Sequence, residues 1–142
     1  MINASERGGL ILELQRATHA ILHALAGRPA GLDLSASEIN VLANLADGLS
    51  RSVGELASAT ATKPTTLTSV LDRLVRKGHV TRELDPADRR SFRVSLTADG
   101  RRAAGACREA MGDLEATALA TITAAEIAGF RAVARAMTER VL

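Results

Sequence analysis

Between Lys63 and Gly100 the hydrophobic period of the chain changes twice, and this limits the folds open to it. In KPTTLTSVLDRLVRKGHVTRELDPADRRSFRVSLTADG, apolar residues first recur at Leu67, Val70, Leu71 and Leu74, the spacing of one helical face. Gly78 suits the position just past a helix end, where the backbone turns left-handed. His79 to Leu84 and Ser91 to Leu96 then have strand character, with Phe92, Val94 and Leu96 alternating with Arg93 and Ser95. Asp85-Pro86-Ala87-Asp88 favours a turn, since Pro presets φ and Asp bonds nearby backbone. The connection is longer than a two-residue hairpin loop, so it should project. Thr97, with Asp99 in the turn that follows, marks a new helix start.

The rest of the chain reads as helix. Apolar residues make up 46% of the 142 residues but aromatics only 1%, so the core must be Leu, Ala, Val and Ile. That composition favours helices, and the length fits one domain. Residues Gly8 to Ala26 carry apolar groups at helical spacing, and Gly27-Arg28-Pro29-Ala30-Gly31 ends that helix. Ser35 with Glu38, Ser52 with Glu55 and Thr123 with Glu126 form capping-box pairs at three further helix starts. Pro64 is tolerated in the first turn of the helix beginning near Lys63. Two short helices joined at Thr60-Ala61-Thr62, followed by the hairpin, predict a mostly α (α+β) winged helix-turn-helix with a two-stranded β wing. The expected organisation is a single chain 1–142, with residues 35–97 as the winged region and long helices at 8–27 and 98–141.

Charge is concentrated in the middle. Residues 62–102 hold ten basic and five acidic side chains, a net of +5, whereas the rest of the chain carries −3. This is the footprint of a polyanion-binding segment. A helix fits the major groove of double-stranded DNA, and an arginine on a projecting hairpin can enter the minor groove. Thr65, Thr66, Thr68 and Ser69 are candidates for base edges or thymine methyls, since the start of such a helix usually enters the groove. Thr62, Lys63, Arg73, Arg76 and Lys77 are candidates for phosphate or guanine. In the wing, Arg90 is expected to probe the minor groove and Arg89 to meet phosphate, while Asp88 bonds the turn backbone or pairs with an arginine.

These residues carry a resemblance. Asp72-Arg73-Leu74 through Gly78 resembles the DRL-x-x-x-G end of the recognition helix in the MarR family of bacterial regulators. Asp88-Arg89-Arg90 resembles the family's D-x-R wing, and Leu96-Thr97-Ala98-Asp99-Gly100 its L-T-x-x-G helix start. The motif block covers about a quarter of the chain, and helix order extends the likeness to nearly all of it. The resemblance implies a triangular homodimer built on interlocked terminal helices and reading a pseudopalindromic operator. It also implies a repressor released by a small lipophilic or phenolic effector bound between the dimer and DNA-binding regions.

Other functions find less support. Some relatives sense hydroperoxides through an N-terminal cysteine with tyrosine partners. Here the one cysteine is Cys107 and there is no tyrosine, so a buried apolar role is expected. His19 and His23 lie four apart on one helical face. They are candidates for an effector pocket or the dimer seam; a metal site would need Glu13, Glu38 or Asp47 to complete it. No metal or cofactor is expected. The alternatives are a metal- or redox-responsive regulator and a winged-helix scaffold that binds protein, although a scaffold has no need of a +5 segment. No enzyme constellation or phosphate-binding glycine loop is present. No apolar run approaches the roughly 20 residues of a membrane span. No basic-then-apolar leader is evident, so the expected location is the cytoplasm.

Overall fold

A computed structural model of the chain describes residues 1–29 and 31–141. Ala30, in the expected linker, and Leu142, the end of the expected domain, lie outside the described residues. The chain forms two compact units, Met1–Met111 and Gly112–Leu142. In order, the elements are α1 (Ala4–Arg7), α2 (Leu10–Leu25), α3 (Ala36–Asn44), β1 (Arg51–Ser52), α4 (Val53–Thr60), α5 (Pro64–Arg76), β2 (Val80–Leu84), β3 (Phe92–Leu96), α6 (Ala98–Ala118) and α7 (Ala124–Val141). This is a winged helix-turn-helix, mostly helical with one small antiparallel sheet.

Local chemistry accounts for most boundaries. Ser35 accepts the Glu38 backbone N–H at 3.2 Å, and Ser52 accepts that of Glu55 at 3.0 Å, so both capping boxes close as the sequence predicts. In the second unit Thr123 accepts from Glu126 in the same way and starts α7. Gly9 has φ 85°, which delays α2 to Leu10 rather than Gly8. The turn between α4 and α5 is tight enough to hold Ala61 at φ 50°, a left-handed conformation unusual for a residue with a Cβ.

Two elements were not expected. The short α1 is closed by its own capping box between Asn3 and Glu6. The sheet has three strands in the order β1-β3-β2 rather than a two-stranded wing. β1 is two residues long and pairs Arg51 with Val94 and Ser52 with Arg93. It exists through long-range pairing, so no periodicity announces it. β2 and β3 pair from Val80↔Leu96 to Leu84↔Phe92.

The core of the first unit is aliphatic. Leu42, Leu45, Leu56, Leu67, Leu71 and Leu74 are fully enclosed, with Val80 and Val94 beneath the sheet. α6 contributes its small residues Ala103, Ala104 and Cys107. The end of α5 and the start of α6 meet at one junction. The Thr97 hydroxyl donates to the Gly78 carbonyl at 2.6 Å and accepts the Gly100 N–H at 2.9 Å. The Thr97 N–H donates to the His79 carbonyl at 3.0 Å. Gly100 lies so close that a Cβ there would overlap the His79 carbonyl oxygen, a backbone atom that cannot swing away.

Gly100→Ala should therefore destabilise the fold by about 1–3 kcal/mol through overpacking. Gly105→Ala, on the same helix with nothing within reach of the new methyl, should gain roughly 0.5–1 kcal/mol. Urea unfolding of the two variants checks this; equal effects would show that the junction is not tight.

Candidate nucleic-acid interface

α5 turns Leu67, Val70, Leu71 and Leu74 inward. This leaves Thr65, Thr66, Thr68 and Ser69 exposed along its first two turns. The Thr68 hydroxyl donates back to the Pro64 carbonyl at 2.9 Å, so its methyl is the part available for contact. Lys63 is the exposed N-cap residue, with no side-chain cap of its own. Thr62 is half-buried in the turn and donates to the Thr60 carbonyl at 3.2 Å.

The second half of α5 differs from what a charge count suggests. Arg73 Nε meets Glu38 Oε1 at 2.9 Å, and Lys77 Nζ meets Glu38 Oε2 at 2.7 Å. Lys77 also donates to the Asp33 carbonyl. Glu38 is only 1% exposed, the one charged residue in the core among those described. Burial pushes its pKa up, but the hydrogen bonds from Lys77 and Arg73 outweigh that and leave it below the ordinary 4.5. Arg73 and Lys77, both expected to face DNA, are thus committed to an internal carboxylate. Arg76 keeps its charge free among the described residues and lines a shallow groove with Asp72, Val75 and Arg82. Asp72 is itself paired to Arg82 at 2.6 Å.

From its neighbours in the sequence Glu38 is legible only as a capping residue and a conceivable metal ligand. The missed signal is its position: Glu38, Leu42 and Leu45 are spaced four and three apart, which puts a charge on the inward face of α3.

The wing is built by backbone bonds. Asp85 N–H donates to the Ser91 carbonyl at 2.9 Å, and Ser91 N–H to the Asp88 carbonyl at 3.0 Å. Asp88 Oδ1 accepts the Arg90 N–H at 3.0 Å, so this carboxylate bonds the turn backbone rather than pairing with an arginine side chain. Arg89 and Arg90 stand exposed, with no ion-pair partner among the described residues. At the wing's base Arg93 reaches across to the Ser50 carbonyl at 2.7 Å and to Asp85 at 3.6 Å, tying the hairpin to the loop before β1. In that loop Asp47 and Arg51 pair at 2.6 Å, and Arg51 holds the Asp47 carboxyl well below the usual range.

His19 and His23 are both exposed on α2. Among the described residues no three of His, Cys, Asp and Glu cluster as a metal would require. Glu38 and Asp47 are already taken by cations. Cys107 is enclosed in α6, and burial pushes its thiol up to about 11, far from the thiolate a redox sensor uses. Among the described residues no helix is long and apolar enough to cross a membrane.

This arrangement has counterparts. A family model described as MarR family matches residues 31–91. The multiple antibiotic resistance protein MarR of Escherichia coli is 34% identical over 98 residues, 68% of each chain. The chain belongs to the MarR family, and its fold is that of MarR-family transcriptional regulators. A structure of mutant MarR from E. coli complexed with operator DNA superposes with a TM-score of 0.71 at 28% identity, over 91% of this chain and 96% of that one. The structure of Bordetella bronchiseptica BpsR, described in terms of regulation of its DNA binding by 6-hydroxynicotinic acid, gives 0.73 at 26% identity over 88% and 95%. A MarR protein from Peptoclostridium difficile shares the fold with a TM-score of 0.84 at 16% identity over 99% and 92%.

The folded state holds Glu38 below its ordinary pKa, so the stability it contributes is complete above 4.5 and is lost as pH falls through the folded value. Glu38→Gln should cost about 1–3 kcal/mol near neutral pH, at the lower end because Arg73 and Lys77 keep partial contact with water. The deficit should shrink on acidification below 4.5. Unfolding curves across that range test it; a deficit independent of pH would mean the charge on Glu38 does not matter.

Proposed function

We propose that the chain is a homodimeric, sequence-specific binder of double-stranded DNA that represses transcription and is released by a small lipophilic or phenolic effector. The observation that carries this reading is the pairing of an exposed hydroxyl-rich helix start with two wing arginines that no acid neutralises among the described residues. Thr65, Thr66 and Ser69 are short enough to approach base edges, and the Thr68 methyl suits a thymine methyl. Lys63, Arg76 and Arg89 supply phosphate contacts, and Thr62 sits beside them at the turn. Arg90 enters the minor groove, where negative potential is concentrated. Arg73 and Lys77 position α5 and take no phosphate. The operator complex of the E. coli relative supports a DNA partner.

Terminal helices with apolar exposure support self-association. Ile11 and Leu12 on α2 are 65% and 71% exposed, and Phe130 on α7 is 60% exposed. Exposed apolar area of this kind ordinarily meets a partner. Two copies related by a twofold axis would present recognition helices about one DNA turn apart, roughly 34 Å, and read a pseudopalindrome. Control by a small effector is supported by BpsR, whose DNA binding is regulated by 6-hydroxynicotinic acid, and His19 and His23 are our candidates for contributing to the effector site.

Arg90→Ala should weaken binding to a duplex selected by the parent protein. It should also make the salt dependence shallower by about one ion per protomer. An unchanged slope would remove the wing from the mechanism. Sedimentation of the parent at micromolar concentration should show a dimer, and a monomer there would sink the two-half-site reading.

A further inference from the structure

We infer that Glu38 is a specificity-determining residue: by holding Arg73 and Lys77 it fixes the azimuth of the base-reading helix and withholds two cations from DNA phosphates. The inference rests on the DNA-binding reading and deepens it.

Arg73 and Lys77 lie one turn apart on α5. Thr66 and Ser69 precede Arg73 by seven and four residues, so the four side chains share one stripe with the proposed base-reading hydroxyls. Their side chains are 40% and 34% exposed, whereas the Glu38 side chain is 2% exposed. The cations therefore stand at the surface with their charged ends turned inward, and Glu38 is the group that turns them. Its position is over-determined, since Glu38 also closes the capping box of α3 with Ser35. A carboxylate enclosed in this way keeps its partners, because an unpaired charge in the core is strongly unfavourable.

The consequence for DNA binding follows from the physics of phosphate contacts. Each cation placed on a phosphate releases condensed counterions and strengthens binding to every sequence alike. Specificity is the ratio of operator to non-operator affinity, and sequence-independent contacts do not raise it. Holding Arg73 and Lys77 internally therefore lowers the affinity for all DNA together and makes its salt dependence shallower. The preference comes from a second effect: two bonds one turn apart resist rotation of α5 about its axis, which keeps the hydroxyl face aimed at the bases.

The test uses the full-length protein and two duplexes of equal length. One carries the site the parent selects from a random library, and the other is its shuffled counterpart. Affinity is measured for both across a range of salt concentrations. Glu38→Gln keeps the shape of the side chain and removes its charge. It should bind the shuffled duplex roughly tenfold more tightly, with a log–log salt slope steeper by up to about two ions per protomer. The ratio between the duplexes should fall as well, because α5 without its two bonds to Glu38 no longer holds Thr65 to Ser69 at one azimuth. Lys77→Met should leave the slope of the parent unchanged on both duplexes, because Lys77 meets Glu38 and not phosphate. Since Lys77 is half-exposed, this variant tests the inference even if Glu38→Gln does not fold. A Glu38→Gln protein with the parental slope and ratio overturns the inference. So does a Lys77→Met protein whose slope is shallower by about one ion per protomer. A parent that binds neither duplex overturns the DNA-binding reading, and the inference with it.

Discussion

One enclosed carboxylate organises the helix-turn-helix of this molecule. Glu38 sits in the first turn of α3, bonded to its cap residue and to two cations of α5. Four buried aliphatic side chains set which face of α5 turns inward, through contacts that are numerous but have no direction. A buried charge with two partners adds directional bonds to that packing. The face that α5 turns outward, from Thr65 to Ser69, depends on that constraint as much as on its leucines.

The same ion pair changes what the basic character of the chain means. Among the ten cations between residues 62 and 102, several are internally matched. Arg73 and Lys77 meet Glu38, Arg82 meets Asp72, Arg93 meets Asp85, and Arg102 meets Asp99. Lys63, Arg76, Arg89 and Arg90 stand out among the described residues as cations of the helix and wing with no acid partner. They mark the two ends of α5 and the bend of the wing, a distribution suited to straddling a groove. Net charge overstated the number of free cations because it cannot tell a cation that faces solvent from one that serves the fold.

What was legible in the sequence followed the range of each interaction. Capping boxes act over three residues, so Ser35, Ser52 and Thr123 announced their helices. The glycine after α5 and the proline at its start act over one turn, and both boundaries were readable. β1 was not, because Arg51 and Ser52 become a strand only against Val94 and Arg93, some forty residues away. Glu38 was half-read for the same reason: its bond to Ser35 is local, while Arg73 is 35 residues distant. The wing backbone matched its turn chemistry, with Asp88 bonding the Arg90 N–H. The partners of Arg93 at Ser50 and Asp85 follow from tertiary placement, which no spacing reveals.

The junction at Thr97 has a mechanical consequence. A single hydroxyl ties the turn that follows α5, through the Gly78 carbonyl, to the start of α6, through the Gly100 N–H. Gly100 lies against the backbone of His79 with no space between them. Two helices joined in this way behave as one bent rod. A torque on the first turns of α6 would pass through these bonds to the turn after α5 and to the root of the wing.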